Sequence, residues 1–380
     1  MAGQNPPERA AIAARLPIPV DSVVISATHT HSGPAVLRAQ SDWFDPLVAE
    51  PDPAYLSELE SAMLQAAIVA YRSRKTARLS HAVQRIEGLG GNRHDPAGAC
   101  EPHVPVLVAS DAADDRVLAV MLICSIHPTV LHADSTVVSG DFPGIARGML
   151  RRRYGDALVV LHQTGASGNQ SPRHVIRANT LAEAARLATK LACGVQAAID
   201  GATPLYETTI ATAVERIKLK RRSLPDVATA TRMLADAETV FEAARRSAIA
   251  DRAACRTAEC DVLGGRATLA LAKLESRGQL HAAAARCLPA GVQVVRIGPL
   301  VFVAWPGEWF VEYGLTISAA YPNAFVITLA NGELEGYIVT RQAIDERRYE
   351  AGSAVFDGPA AGAAAIAATS RLIEKVRAAS

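Results

Sequence analysis

Short apolar runs alternate along this chain with stretches whose apolar residues recur every three or four positions; the first kind reads as strands, the second as helices. Strand-like runs lie at 77–86, 104–109, 117–126, 158–162, 208–220 and 325–330, and 292–304 reads as a hairpin turning at Gly298-Pro299. Another apolar run starts at Val23 and ends in His29, Thr30 and His31, before Ser32-Gly-Pro34 turns the chain. Helical spacing covers 8–16, and Asp52-Pro53 starts a helix with Leu56, Leu59, Met63 and Ala67 on one face, ending near Tyr71. The capping box Thr180-Leu-Ala-Glu183 opens a helix through Ile199, and 360–378 forms a last one. Between the strands, Ser223-Leu-Pro-Asp226 opens a long helix carrying Val227, Met233, Leu234, Ala237, Val240 and Phe241, and Gly264-Gly265 separates it from a second over 267–277.

This pattern predicts an α/β fold: mixed β-sheets flanked by helices, with a helical hairpin inserted at 225–287. That hairpin either roofs a site or is a plain structural insertion. The absence of internal repeats and long linkers predicts one domain over 1–380.

Composition narrows the function. With 49% hydrophobic and 20% charged residues the chain has ample core, and a net charge of +1 argues against a nucleic-acid partner bound by phosphate neutralisation. The six cysteines, Cys100, Cys124, Cys193, Cys255, Cys260 and Cys287, show no CxxC and read as reduced thiols. No apolar run reaches membrane-spanning length. The N-terminus lacks the basic start and apolar stretch of a signal peptide, which points to a cytoplasmic location.

Candidate chemistry gathers where the apolar runs end. In extended backbone, side chains two apart share a face, so His29 and His31 are placed to converge on one ion. The run 117–126 ends in His127, the run 300–304 leads to Glu308, and the run 325–330 leads to Tyr337. Strand ends are where ligands collect in α/β sheets. Two imidazoles and a carboxylate, with a phenol to complete the set, suit an open zinc site that keeps a position for water or substrate. Each residue alone also has a structural reading: a satisfied loop histidine, a solvated glutamate, a core tyrosine. Zinc would polarise a carbonyl and activate water, which suits amide or ester hydrolysis. Arg93, Tyr349 and the glycine-rich turn 165–171 are candidates for stabilising the developing negative charge, and Ser171 is either a nucleophile or a cap before Pro172. Asp141 is a candidate partner for the second ring nitrogen of His127 or a cap; His132, His162 and His174 read as bystanders.

These segments together resemble the catalytic domain of the neutral/alkaline non-lysosomal ceramidase family. The matching pieces are Ser26-Ala-Thr-His-Thr-His-Ser-Gly-Pro34, Gly91-Asn-Arg93, Ile126-His-Pro-Thr129, Ser139-Gly-Asp-Phe-Pro-Gly144, Gly168-Asn-Gln-Ser-Pro172, Pro306-Gly-Glu308, Tyr337-Ile-Val-Thr340 and Tyr349-Glu-Ala351, in the family's order. The resemblance implies a zinc-dependent hydrolase that splits the N-acyl bond of ceramide into a fatty acid and a sphingoid base. It implies His29, His127, Glu308 and Tyr337 as zinc ligands, His31 as a histidine beside the metal and Ser171 as nucleophile. Arg93 and Tyr349 match residues that contact substrate or the oxyanion. In another version of the mechanism water attacks and Ser171 only orients.

Three departures shape the alternatives. The family's leading strands are expected to be missing, since the His-x-His run starts close to the first residue. The family's immunoglobulin-like C-terminal domain is likewise expected to be missing, and Asn169 replaces the aspartate of the family's Gly-Asp-x-Ser-Pro pattern. The alternatives are therefore a zinc hydrolase of another small amide or ester, and an inactive truncated homologue acting as a binding module. The expected partner is a small-molecule or lipid amide.

Overall fold

The computed structural model describes residues 7–39, 42, 44, 48, 50–132, 134–247 and 252–378. Its strands are β1 (Ala77–Arg85), β2 (Gly91–Asn92), β3 (His103–Asp111), β4 (Val117–Cys124), β5 (Val159–Thr164), β6 (Gln170–Ser171), β7 (Thr203–Pro204), β8 (Ile210–Ile217), β9 (Ala290–Ile297), β10 (Leu300–Ala304), β11 (Glu308–Trp309), β12 (Ala324–Ile327) and β13 (Tyr337–Ile338). The helices are α1 (Pro7–Arg15), α2 (Pro53–Arg72), α3 (Asp141–Tyr154), α4 (Leu181–Asp200), α5 (Val227–Arg246), α6 (Arg252–Ser276), α7 (Leu280–Ala285), α8 (Val311–Ala320), α9 (Arg341–Asp345), α10 (Tyr349–Ser353) and α11 (Gly358–Ala378). The α/β class with mixed sheets is as expected.

Alternation along the central strands sorts them into layers. On β4, Val120, Leu122 and Cys124 pack with Phe142 and Leu150 of α3 and Leu187 and Leu191 of α4. Met121 and Ile123, on the opposite face, pack on Phe302 of β10 and Phe325 of β12. On β10, Val301 and Val303 in turn face Ala365, Ala368 and Leu372 of α11. Two sheets thus lie face to face, each covered outside by helix. One has the order β5-β4-β3-β1-β7, the other β12-β10-β9-β8. Each fully buried Leu or Val contributes about 2 kcal/mol, enough for the apolar pattern to dictate which way a strand faces.

Each sheet contains one parallel pair, β4 with β5 and β10 with β12, and the pairs end together. The Thr328 amide, just past β12, donates to the Thr164 carbonyl at the end of β5 (2.8 Å), and its hydroxyl donates to the Gly165 carbonyl (2.7 Å). This junction brings residues from both sheets to one place.

Two expectations need correction. The run from Val23 forms no regular strand; it is held by a single antiparallel bridge, Ser26 to Ala330. Gly264-Gly265 does not break the helical hairpin, because α6 runs straight through both. A Cβ on Gly264 would lie 2.8 Å from the Tyr349 Cα, and one on Gly265 3.1 Å from the Leu234 Cα, so the pair allows α6 to approach α10 and α5 closely. Helix α2 forms as expected, capped by Asp52, with its apolar face half-buried. The turn at Gly298 is as expected, with φ +56°.

Candidate metal centre

His29 and His31 sit in a loop pinned on both sides: Ser26 bridges to Ala330, and Ser32 to Ser139. The Thr30 hydroxyl donates to the Ser139 carbonyl at 2.6 Å, and the Thr164 hydroxyl to the Ala27 carbonyl at 3.2 Å. His29 has φ +63°, a left-handed conformation rare for a residue with a Cβ. The two rings therefore converge through a turn, not through the two-residue repeat of a strand. Their Nε2 atoms are 3.3 Å apart.

His127 follows β4 and is wholly buried. Its Nδ1 lies 2.9 Å from the carbonyl oxygens of both Ser167 and Gln170. Two acceptors at Nδ1 require the proton there, which leaves Nε2 with a bare lone pair. That lone pair faces the Glu308 Oε2 at 3.2 Å, and the His29 Nε2 lies 3.4 Å from the same oxygen. Both the His127 Nε2 and the Glu308 Oε2 are buried without a hydrogen-bond partner. Two acceptors aimed at each other with no proton between them fit a shared cation. His29, His31 and His127 each offer a nitrogen within 4.8 Å of the others, so this triad is able to hold a metal ion.

The electrostatics agree. Burial pushes the His127 ring down to about 4, helped by the neighbouring His29. Burial alone would raise Glu308, but the His29 and His127 rings hold it well below the usual carboxylate range. A neutral His127 and an ionised Glu308 are the ionisation states that metal binding needs. Tyr337 stands directly opposite Glu308 in the parallel β11–β13 pair, and burial, with the Glu308 charge, raises its phenol.

A second cluster adjoins the first. Arg93 is buried beside the β2–β6 pair, its Nε donating to Glu350 Oε1 at 2.7 Å and an Nη to the Gly168 carbonyl. Its guanidinium carbon is 4.9 Å from the Tyr349 ring centre and 5.4 Å from that of Tyr337. His94 Nε2 reaches the same Glu350 oxygen at 2.7 Å. Glu350 has no exposed surface; burial would raise it, but Arg93 and His94 bring it below the ordinary value. Neither Glu350 nor His94 was picked out as a site residue from sequence. The available signal was adjacency alone, Glu350 beside Tyr349 and His94 beside Arg93.

Ser171 lies at the cavity wall, and its Oγ accepts a hydrogen bond from the Arg173 amide at 3.3 Å. The Ser171 hydroxyl therefore caps the turn, and no imidazole or carboxylate among the described residues is bonded to it. Asn169 gives its amide to both oxygens of Glu312, at 3.1 and 3.0 Å, and accepts from the Val311 amide at 2.9 Å. An aspartate there would face Glu312 with like charge.

Asp141 is not the partner of His127. Its carboxylate accepts from the Leu131 amide at 2.9 Å and the Phe142 amide at 2.6 Å, so it fixes the loop that follows His127. Both ring nitrogens of His162 are buried without hydrogen-bond partners. His174 Nε2 donates to the Arg93 carbonyl at 3.2 Å, while His132 lines the cavity.

His31, Arg93, His127, Ser171, Tyr337 and Tyr349 open into one cavity of about 670 Å³. Its far wall comes from α5 and α6, through Ala244, Arg256, Cys260 and Leu263 among others. The inserted hairpin thus roofs the site. All six cysteines are free thiols. Among the described residues no helix is long and apolar enough to cross a membrane.

No protein-family model matches the sequence, and no curated protein matches it. Solved structures do. A ceramidase complexed with C2 superposes with a TM-score of 0.68 over 96% of this chain at 16% identity. The neutral ceramidase from Pseudomonas aeruginosa superposes with a TM-score of 0.67 over 98% at 17% identity. This chain spans 66% and 65% of the length of those two chains. The two sheets, the helices that cover them and the junction carrying the histidine triad together make up a ceramidase-like fold.

Proposed function

We propose that this chain is a zinc-dependent amidohydrolase that cleaves the N-acyl bond of a ceramide-like amide, releasing a fatty acid and an amine. The observation that carries the reading is the pair of unpartnered acceptors, His127 Nε2 and Glu308 Oε2, facing each other beside His29 and His31. Three imidazole nitrogens and a carboxylate oxygen form a donor set that suits zinc, with Tyr337 beside Glu308 as a further oxygen donor. Bound there, the ion would supply Lewis acidity toward the amide carbonyl and toward water.

The remaining chemistry belongs to the protein. Hydrolysis joins a water oxygen to the acyl carbon, breaks the C–N bond and delivers a proton to the leaving nitrogen. Negative charge grows on the carbonyl oxygen as this happens. Arg93, held in place by Glu350, keeps a fixed positive charge at the cavity wall. Burial holds the Tyr349 phenol protonated well above its usual range, so it is a donor to that oxygen at neutral pH. The Ser171 hydroxyl, lacking a bonded base, serves better to orient substrate or water than to attack.

The test is release of fatty acid from a panel of N-acyl amides, ceramide included, by metal-loaded and chelator-treated protein. Turnover that chelation abolishes and zinc restores is expected. Turnover that survives chelation, or none on any amide or ester, contradicts the proposal.

A further inference from the structure

The wall of the cavity away from the histidines is rich in guanidinium groups. Arg93, Arg173, Arg245 and Arg256 all line it, whereas Glu259 is the one acidic residue among the described lining residues. Counter-charges are unevenly shared. Arg93 is answered by Glu350 at 2.7 Å, Arg256 by Glu259 at 2.6 Å, and exposed Arg245 by Glu242 at 3.3 Å.

Arg173 differs from these. Its Nη1 donates to the Arg93 carbonyl at 3.3 Å and the Thr257 hydroxyl at 3.1 Å, and its Nη2 to the Cys260 sulfur at 3.2 Å. All three acceptors are neutral. Asp261, one residue beyond Cys260, feels its charge but makes no ion pair with it. A half-buried guanidinium held by three neutral acceptors keeps two of its five N–H donors and a charge without an ion-pair partner, and its planar fork matches a carboxylate or phosphate. A neutral head group placed against it would leave that charge unanswered.

Resting on the hydrolase reading above, we propose that the substrate is an amide bearing an anionic oxyacid group, seated under the α5–α6 hairpin against Arg173, with Arg245, which shares Glu242 with Arg246, adding positive potential. Leu131, Ile176 and Leu263 supply apolar wall for an acyl chain in the same cavity. The hairpin then selects the substrate while the histidine centre cleaves it.

The experiment compares three substrates of equal acyl length on the full, zinc-loaded chain: N-dodecanoylglycine, N-dodecanoyl-O-phosphoethanolamine and neutral N-dodecanoylethanolamine. At least one anionic substrate is expected to exceed the neutral one in kcat/KM by about tenfold or more, chiefly through KM, and the better of the two identifies carboxylate or phosphate. R173Q is expected to collapse that ratio toward one, and R173K to restore part of it. If R173Q fails to fold, R245Q on the exposed face of α5 should lower the ratio by a smaller factor. Calorimetry with the uncleavable pair N-(dodecylsulfonyl)glycine and N-(dodecylsulfonyl)ethanolamine reads the same preference without turnover. Cleavage of amides with no anionic preference overturns this proposal and leaves the hydrolase reading standing. Tighter, Arg173-dependent binding of the anionic sulfonamide, with no amide cleaved, supports anion recognition and removes the hydrolase reading.

Discussion

The floor of the cavity, where β4, β10 and the 23–31 segment end, is held by backbone carbonyls and buried carboxylates. The roof is a pair of helices, of which α5 buries a single residue, Ala230, and presents long charged side chains. On the floor the His127 ring is fixed by two carbonyls, Arg93 by Glu350, and the loop after His127 by Asp141. Arg173, which rises from the loop after β6 toward α6, is tied only to neutral acceptors, and exposed Arg245 only to Glu242. The contrast separates two tasks: reaction chemistry needs groups fixed to within fractions of an ångström, whereas selection tolerates adaptable side chains. Damage to the floor should abolish turnover on every substrate, and damage to the roof should change which substrate is preferred.

The strongest way to break this division is H127A. It removes the nitrogen whose direction is best defined, and a loss of about a thousandfold or more in kcat on all substrates is expected, with unchanged circular dichroism. A loss confined to one substrate would move His127 into the selecting group.

E350Q tests the support beneath the floor. It leaves the Arg93 guanidinium buried without a full counter-charge, so unfolding free energy from urea titration should fall by about 3 kcal/mol. A change near zero would mean that His94 and the Gly168 carbonyl suffice.

G264A probes the joint between floor and roof. The new methyl meets the Tyr349 backbone at 2.8 Å, and a loss of about 2 kcal/mol is expected, with lower turnover on neutral and anionic amides alike because Tyr349 moves. Full activity with unchanged melting temperature would show that the hairpin rides freely on α10.

The smallest effect lies outside both regions. Burial holds His162 down to about 4 in the folded chain, below its ordinary value near 6.5. The unfolded chain therefore binds more protons between those values, and this residue's contribution is present above about pH 6.5 and lost as pH falls toward 4. H162L should flatten the acid limb of the stability curve by about 1 kcal/mol, allowing for partial exposure of the residue. An unchanged limb would assign acid sensitivity to the histidines of the floor.

Much of the floor was legible in the sequence because each of its members ends or follows an apolar run: His29 and His31 after Val23, His127 after β4, Glu308 after β10. Apolar alternation also marked the two sheets correctly. Glu350 and His94 were not legible, since a charge buried in an ion pair has the same letter as a solvated one. Asn169 read as a lost charge, and only its contact with Glu312 shows why an amide fits. Gly264-Gly265 read as a break because close helix approach and helix termination use the same residue. The segment from Val23 has the composition of a strand but only one bridge to pair with, so composition alone overstated it.

The central claim is that His29, His31, His127 and Glu308 share one metal ion. Protein equilibrated with excess zinc and then desalted should carry about one ion per chain by plasma mass spectrometry, and H127A/E308A should carry essentially none. A wild-type chain without bound metal, or a double variant that keeps its full complement, would contradict the account.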